Sequence, residues 1–434
     1  MLPDLNLPAS LAGLLVVLRP VFTAPSFRTF CGLAAGLAGQ VRRRTVCGML
    51  AGAGLGRCWP HDRAHYFFAR AAWDLDELGL AAARVVAALL VPAGAAITVA
   101  VDDSVFRRSG RRVFGVAWQH DGSSPARNKL SFGTCFVTAG IVVALPFCTR
   151  PVCLPVLARL HVPGKGKARK ARKRDAAPAS TVSAAVALVT RLAGAFPGRR
   201  IDVVADAHYH GPALRDLPQN VTWTTRLPKN AVLYDLAPPR VRKPGRPPRK
   251  GPRLGTAADL AAAAAWTPAA VRIYRRDTAE DLAEVTCLWY GCLDVITVRV
   301  ILARDQIATL ALVTTDLAAP AAVLVERYAA RWSIEMVFPQ LAKGAVRPVG
   351  GGREHVADLD LAVGDDHPVD EQFRKLPPLG KRGSCEFGAD GLAEGLDAVG
   401  HGLEPEPLPG GCVQLPLLGG QGGVAAAQSF PLAL

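Results

Sequence analysis

Ile97-Thr-Val-Ala-Val-Asp102-Asp103-Ser104 decides the fold. Five residues, β-branched or small and mostly apolar, run straight into two carboxylates. An apolar run this short and without strict alternation is the pattern of a strand buried on both faces of a sheet. A second run of the same form, Ile201-Asp-Val-Val-Ala205, ends in Asp206. Further strand patterns fall between them at Val113 to Trp118, Phe132 to Thr138 and Ile141 to Leu145, so a sheet is being built around the two aspartates. An Asp at a strand end is commonplace, because loop starts favour it. The weight of the pair therefore depends on what surrounds it.

Upstream of about residue 90 the signals are helical: Ala, Leu and Arg in mixed periodicity, a basic turn Arg42-Arg43-Arg44, and an amphipathic run from His61 to Val91. Two long apolar stretches, Leu78 to Val101 and Phe132 to Leu157, raise a membrane-spanning alternative with the basic loops inside. Arg84, Pro92, Gly94 and Asp102 interrupt or end the first, and Gly140, Pro146, Arg150 and Pro151 punctuate the second. A helix, a turn and buried strands explain them better.

Downstream, two basic runs flank the second aspartate. Gly164 to Arg174 carries Lys165, Lys167, Arg169 and Lys170 among its cations. Pro238 to Arg253 carries Arg246, Arg249 and Lys250, with a central Gly-Arg-Pro resembling a minor-groove AT-hook. Isolated charge runs are usually solvated linkers; two flanking one candidate site point to phosphate contact. The net charge of +15 over 434 residues agrees, since counterion release drives Lys and Arg onto polyanions. Half of the residues are hydrophobic, which excludes a disordered chain. The ten cysteines contain no Cys-x-x-Cys pair, so zinc spacing is absent, and no signal peptide opens the chain. A reducing, cytoplasmic setting is expected.

The third element sits beyond strands expected within Glu284 to Val313. The run Ala318 to Ala342 reads as a helix, and on it stands Tyr328-Ala-Ala-Arg331-Trp-Ser-Ile-Glu335. Arg331 and Glu335 are four apart and share a face, with Tyr328 one turn earlier. By itself this is an ordinary Arg–Glu pair. Yet phosphodiester cleavage by two divalent ions needs hard oxygen ligands on rigid elements, with the ions about 3.5–4 Å apart. Two strand-borne aspartates and a helical glutamate can supply them.

With these motifs in order the chain resembles the DDE transposases of bacterial insertion sequences, in the branch where Tyr-x-x-Arg-x-x-x-Glu precedes a lysine. The likeness runs from roughly Phe27 to Phe338. It also takes in Arg112-Val-Phe-Gly115, Trp118-Gln-His-Asp-Gly122, Leu145-Pro-Phe-Cys148, Ala205-Asp-Ala-His-Tyr209 and Leu312-Val-Thr-Thr-Asp316. What the resemblance implies is an α/β fold, an RNase H-like mixed sheet flanked by helices. It places Asp102 in the first strand, Asp206 in the fourth and Glu335 on the following helix, as ligands of Mg2+ or Mn2+.

Asp102 and Asp103 compete for the first ligand position. The family's usual Asp-x-Ser ending favours Asp102, and alternation turns Asp103 to the opposite face. Tyr328 and Arg331 would position a phosphate of the element's end. His208 and His210 would have only a supporting or DNA-contacting role, since imidazole suits Mg2+ less than carboxylate. The implied partners are double-stranded DNA, both terminal inverted repeats and target, and further copies of the chain; the expected location is the nucleoid. The implied chemistry is cleavage by water, then attack of the freed 3′-hydroxyl on target DNA.

The expected organisation is a helical DNA-binding domain over 1–92, a catalytic domain over 93–345 with a β-rich insertion at about 220–315, and a Gly/Pro-rich tail over 346–434. The family's lysine position, seven residues past Glu335, holds Ala342, with Lys343 one residue further on and Pro339 inside the expected helix. With the Gly-rich tail, this reads as a frame that leaves the ancestral one near residue 338. A catalytically inactive DNA-binding remnant is the alternative reading.

Overall fold

The computed structural model describes residues 7–337, apart from 41–44, 123, 125–126, 164–179, 240–245, 274–275 and 305–308. The expected tail, Lys343, and the cluster Lys165, Lys167, Arg169 and Lys170 lie outside the described residues.

The chain begins in helices α1 (Ala9–Val17), α2 (Ala24–Gly39), α3 (Val46–Gly52), α4 (His61–Ala69) and α5 (Leu75–Leu90). Local chemistry sets their starts: Thr23 accepts from the Ser26 amide ahead of α2, and Asp74 accepts from the amides of Asp76 and Glu77 at 2.8 and 3.0 Å ahead of α5. Helices α2 and α3 touch backbone to backbone. A Cβ on Gly36 would sit 1.7 Å from the Met49 carbonyl oxygen, so only glycine permits this approach. Phe30, Leu33, Met49, Leu50, Trp59 and Phe67 fill the space between these helices.

Helix α5 joins two cores. Its Leu78 belongs to the helical cluster, while Leu80, Ala83 and Ala87 pack into the cluster under the sheet. At its N-terminal end the buried Asp76 pairs with Arg159 at 2.7 Å and Arg191 at 3.0 Å, pinning the helix to the elements beneath.

The sheet comprises β1 (Ile97–Arg107), β2 (Ala117–His120), β3 (Leu130–Val143), β4 (Val152–His161), β5 (Ile201–Ala205), β6 (Val221–Arg226), β7 (Leu233–Tyr234), β8 (Arg253–Gly255), β9 (Thr267–Ile273), β10 (Arg276–Leu288), β11 (Thr297–Arg304) and β12 (Thr309–Thr314). Its main path runs β2-β3-β1-β5-β6-β12-β11-β10-β7-β8, with β4 on β3 and β9 on β10. Strand β3 lies antiparallel to β1. Strands β1, β5 and β6 are mutually parallel. Helix α6 (Thr181–Ala195), opened by a Ser180–Ser183 capping box, makes the crossover from β4 to β5. The run β4-β3-β1-β5-β6 is the RNase H-like mixed sheet, flanked by helices and not closed into a barrel. Two short helices, α7 (Ala257–Ala262) and α8 (Tyr290–Leu293), interrupt the later strands, and α9 (Ala321–Ala329) and α10 (Trp332–Glu335) follow them.

Several expectations change in detail. Strand β1 does not end at Asp102 but continues to Arg107, because the long β3 pairs with it as far as Gly133. The strands expected at Phe132 to Thr138 and Ile141 to Leu145 are one, with a register shift against β4 at Ala139/Gly140. Of Val113 to Trp118 only the end is extended, since Gly115 turns the chain with φ 74°. Asp206 follows the fifth strand in sequence; it is the fourth only when the four-residue β2, which shares one edge of β3 with β4, is left out. Strands β7 to β12 extend the same sheet, with β12 pairing on β6. The two apolar stretches are not spanning helices: Leu78 to Val101 is most of α5, a turn and the start of β1, Phe132 to Leu157 lies in β3, β4 and the connection between them, and no helix among the described residues is long and apolar enough to cross a membrane.

Candidate active site

The parallel ladder of β1 and β5 sets Val101 opposite Ala205. Asp102 is the next residue along β1, and Asp206 follows directly after the end of β5. Side chains alternate along a strand, and the clusters identify the faces. Val99, Val101, Val203 and Ala205 point into the main core, whereas Ala100 and Val204 pack with Cys153 and Ile334 on the other side. Asp102 takes the second face, and Asp206 leaves the end of the paired strand β5. Ile334 of α10 is fully buried there, which brings its neighbour Glu335 over the strand ends.

Arg331 joins the pieces. Its guanidinium lies 2.8 Å from the Glu335 carboxylate and 3.8 Å from that of Asp102. Tyr328 stacks above it, the guanidinium carbon 5.7 Å from the ring centre. Burial pushes the Asp102 carboxyl up to about 7, with Asp103 and Glu335 adding repulsion, against the lowering effect of the Asp103 amide and Arg331. Asp103 faces the core instead, where its carboxylate accepts from the buried Tyr209 hydroxyl at 2.7 Å and the Cys135 thiol at 3.4 Å. Its oxygens are thus committed to structure, and Asp102 is the one that meets Arg331.

A buried ion network that the sequence reading did not single out aligns α9 on the same face. Asp202 and Asp316 are 2% and 3% exposed. Arg327 reaches both, at 3.1 and 3.0 Å, and Arg200 pairs with Asp202 at 3.0 Å. Burial opposes ionisation of Asp316, but the Ala319 and Ala318 amides, Arg327 and Arg200 together hold its pKa below the ordinary value. The signal in the sequence was Asp202 itself, one charge inside an otherwise apolar strand. Buried charge demands a partner, and Arg327 supplies it one turn before Arg331.

The helix expected over Ala318 to Ala342 changes pitch between α9 and α10. The amides of Arg331, Ser333, Ile334 and Val337 donate to carbonyls three residues back, and the Ser333 hydroxyl donates to the Ala330 carbonyl at 2.8 Å. This tightening is a 3₁₀-type turn. It lets Arg331 face Asp102 while Ile334 still reaches Ala100 and Val204.

The remaining residues singled out from the sequence stand elsewhere. Arg246 is exposed. Arg249 pairs with Asp294, and the Lys250 ammonium lies 3.5 and 4.8 Å from the ring centres of Tyr234 and Tyr290. Although β7 is far from β5 along the sheet, α8 folds back toward the second aspartate: Trp289 stacks on His210 at 5.1 Å, and Arg215 donates to the Cys292 carbonyl at 3.0 Å. The basic pair therefore adjoins the segment that follows Asp206. His208 contacts the Thr181 hydroxyl at 2.8 Å and His210 the Ala207 carbonyl at 2.7 Å.

The donors at the strand ends are hard carboxylate oxygens, the type that Mg2+ and Mn2+ take. The suppressed ionisation of Asp102 among like charges is a strain that a divalent cation would relieve. The three carboxylates do not converge within 4.8 Å of one another; among the described residues only Cys47, His61 and His65 do so.

Comparison with known families adds one finding. The family model described as DDE superfamily endonuclease matches residues 17–291, a stretch that contains Asp102 and Asp206 and stops before Glu335. No curated protein matches the chain.

Proposed function

The chain belongs to the DDE superfamily endonucleases, enzymes of nuclease and transposase type that act on DNA with divalent metal, and from that membership we propose that it is a transposase. It would cut DNA at the ends of a mobile element and join the freed 3′-hydroxyl to target DNA, working as more than one copy so that two ends are held together. The observation that supports this reading is that Asp102 on β1 and Asp206 just past β5 follow a paired Val101 and Ala205 on neighbouring parallel strands, while Arg331 lies 3.8 Å from Asp102 and 2.8 Å from Glu335.

Asp102, Asp206 and Glu335 would hold Mg2+ or Mn2+. When bound, such ions lower the pKa of water and offset charge on the phosphodiester. The chain's own residues do the rest. Arg331, seated between Asp102 and Glu335, would give up those pairings for a phosphate oxygen in a two-pronged contact. Tyr328 stacks against its guanidinium and limits its orientations. Arg249 and Lys250, held on Tyr234 and Tyr290 beside the segment after Asp206, would contact the DNA backbone.

The test is a nicking assay on DNA spanning the gene and its flanking repeats, with Mn2+ or Mg2+. Glu335→Gln should lower the rate at least ~100-fold, as loss of a charge-stabilising catalytic group does, while DNA binding persists. Equal nicking by both proteins sinks the assignment. A second reading, a DNA-binding remnant without cleavage, is favoured by the family match ending short of Glu335; binding without nicking by the unaltered protein would establish it.

A further inference from the structure

We propose that Cys47, His61 and His65 form a binding site for a soft divalent transition metal, zinc foremost, that ties α3 to α4. The sequence shows no zinc motif, because the ligands come from two helices: Cys47 from α3, and His61 and His65 four residues apart on one face of α4. The Cys47 Sγ lies 3.1 Å from His61 Nε2, and His65 Nε2 lies 3.1 Å from the same atom. In a tetrahedral site with zinc–nitrogen bonds of about 2.0–2.1 Å and a zinc–sulfur bond of about 2.3 Å, donors stand about 3.3–3.6 Å apart. Those two separations are within about half an ångström of that arrangement, and the three ligand atoms all lie within 4.8 Å of one another.

Hydrogen bonding accounts for the cluster less well. His61 Nε2 carries either one hydrogen or one lone pair in the ring plane, which can serve one neighbour properly, yet two converge on it. A metal is the partner that all three donors can satisfy together. All three residues are exposed, so solvent can complete the coordination. The scaffold beneath is rigid: on α4 the intervening Arg63 turns inward, stacking on Trp59 at 3.8 Å and donating to the Thr29 hydroxyl at 3.0 Å, and Ala64 and Phe67 are buried. The site is separate from the carboxylates in ligand chemistry, since thiolate and imidazole select zinc or cobalt over Mg2+.

The full-length protein, stripped with chelator, would be titrated with Co2+ and followed by absorption. One equivalent should give tetrahedral visible bands and a near-ultraviolet thiolate-to-cobalt band, which carboxylates cannot produce. Cys47→Ser should abolish the thiolate band, Cys58→Ser should retain it, and His65→Gln should weaken Co2+ binding at least ~10-fold, the usual scale of a lost ligand interaction. Zn2+ should displace Co2+ and raise the Tm of the unaltered protein but not of Cys47→Ser. Absence of the thiolate band in the unaltered protein, its survival in Cys47→Ser, or a Tm indifferent to Zn2+ overturns the proposal.

Discussion

Asp102→Asn removes a charge that the fold itself opposes, and its effect on stability has a defined sign. With the carboxyl pushed up to about 7 in the folded protein from an ordinary 3.8, its contribution to stability is complete below about pH 4 and is lost as pH rises through about 7. At 1.36 kcal/mol per unit, the part lost between about pH 5 and about pH 8 amounts to about 2–3 kcal/mol. Asn is nearly isosteric and never ionises. Urea unfolding in chelator at both pH values should therefore show the unaltered protein losing that much more stability than Asp102→Asn over the interval. Adding Mn2+ should restore the loss at the higher pH for the unaltered protein alone, because the ion favours the ionised carboxylate. If the two proteins keep parallel pH profiles within about 1 kcal/mol, burial does not suppress Asp102 and the electrostatic account of the site is wrong.

Two further substitutions probe the scaffold. Arg327→Met leaves the buried Asp202 and Asp316 with Arg200 as their remaining paired cation; a loss of about 3 kcal/mol in denaturant unfolding, the low end for breaking a buried pair, is expected, with nicking reduced alongside because α9 loses its seat. Gly36→Ala forces a methyl group to within 1.7 Å of the Met49 carbonyl; a destabilisation of at least about 2 kcal/mol by thermal unfolding is expected, and a neutral result would mean that α2 and α3 do not pack as described.

The sheet was legible where burial on both faces suppresses alternation, as in Ile97 to Val101 and Ile201 to Ala205, and where an aspartate interrupts such a run. Its extent was not. Nothing local says that β1 continues past two carboxylates; that follows from the length of β3, whose pairing partners lie about thirty residues away in sequence. The spacing of Tyr328, Arg331 and Glu335 placed them on one helix face, but a regular helix does not show the tightened turn at Arg331, which the fit of Ile334 against Ala100 and Val204 accompanies. The ion network was hidden for another reason: Asp202 in its apolar strand signals that a partner is needed, but only the topology shows that Arg327 supplies it and that Asp316 joins them. The Cys47, His61 and His65 cluster was missed because a search for paired cysteines looks along the chain rather than between helices.

The order of the strands also sets a timetable for synthesis. The first aspartate leaves the ribosome early, but its neighbour β5 is about a hundred residues behind it, and the glutamate-bearing α10 is later still. Non-local pairings of this kind close slowly. Asp202 on β5 must meanwhile await Arg327, a charge in the last part of the described chain. A nascent chain can thus lay down the first strands and both aspartates while lacking Glu335, so on the proposed assignment it would meet DNA before it held all three carboxylates.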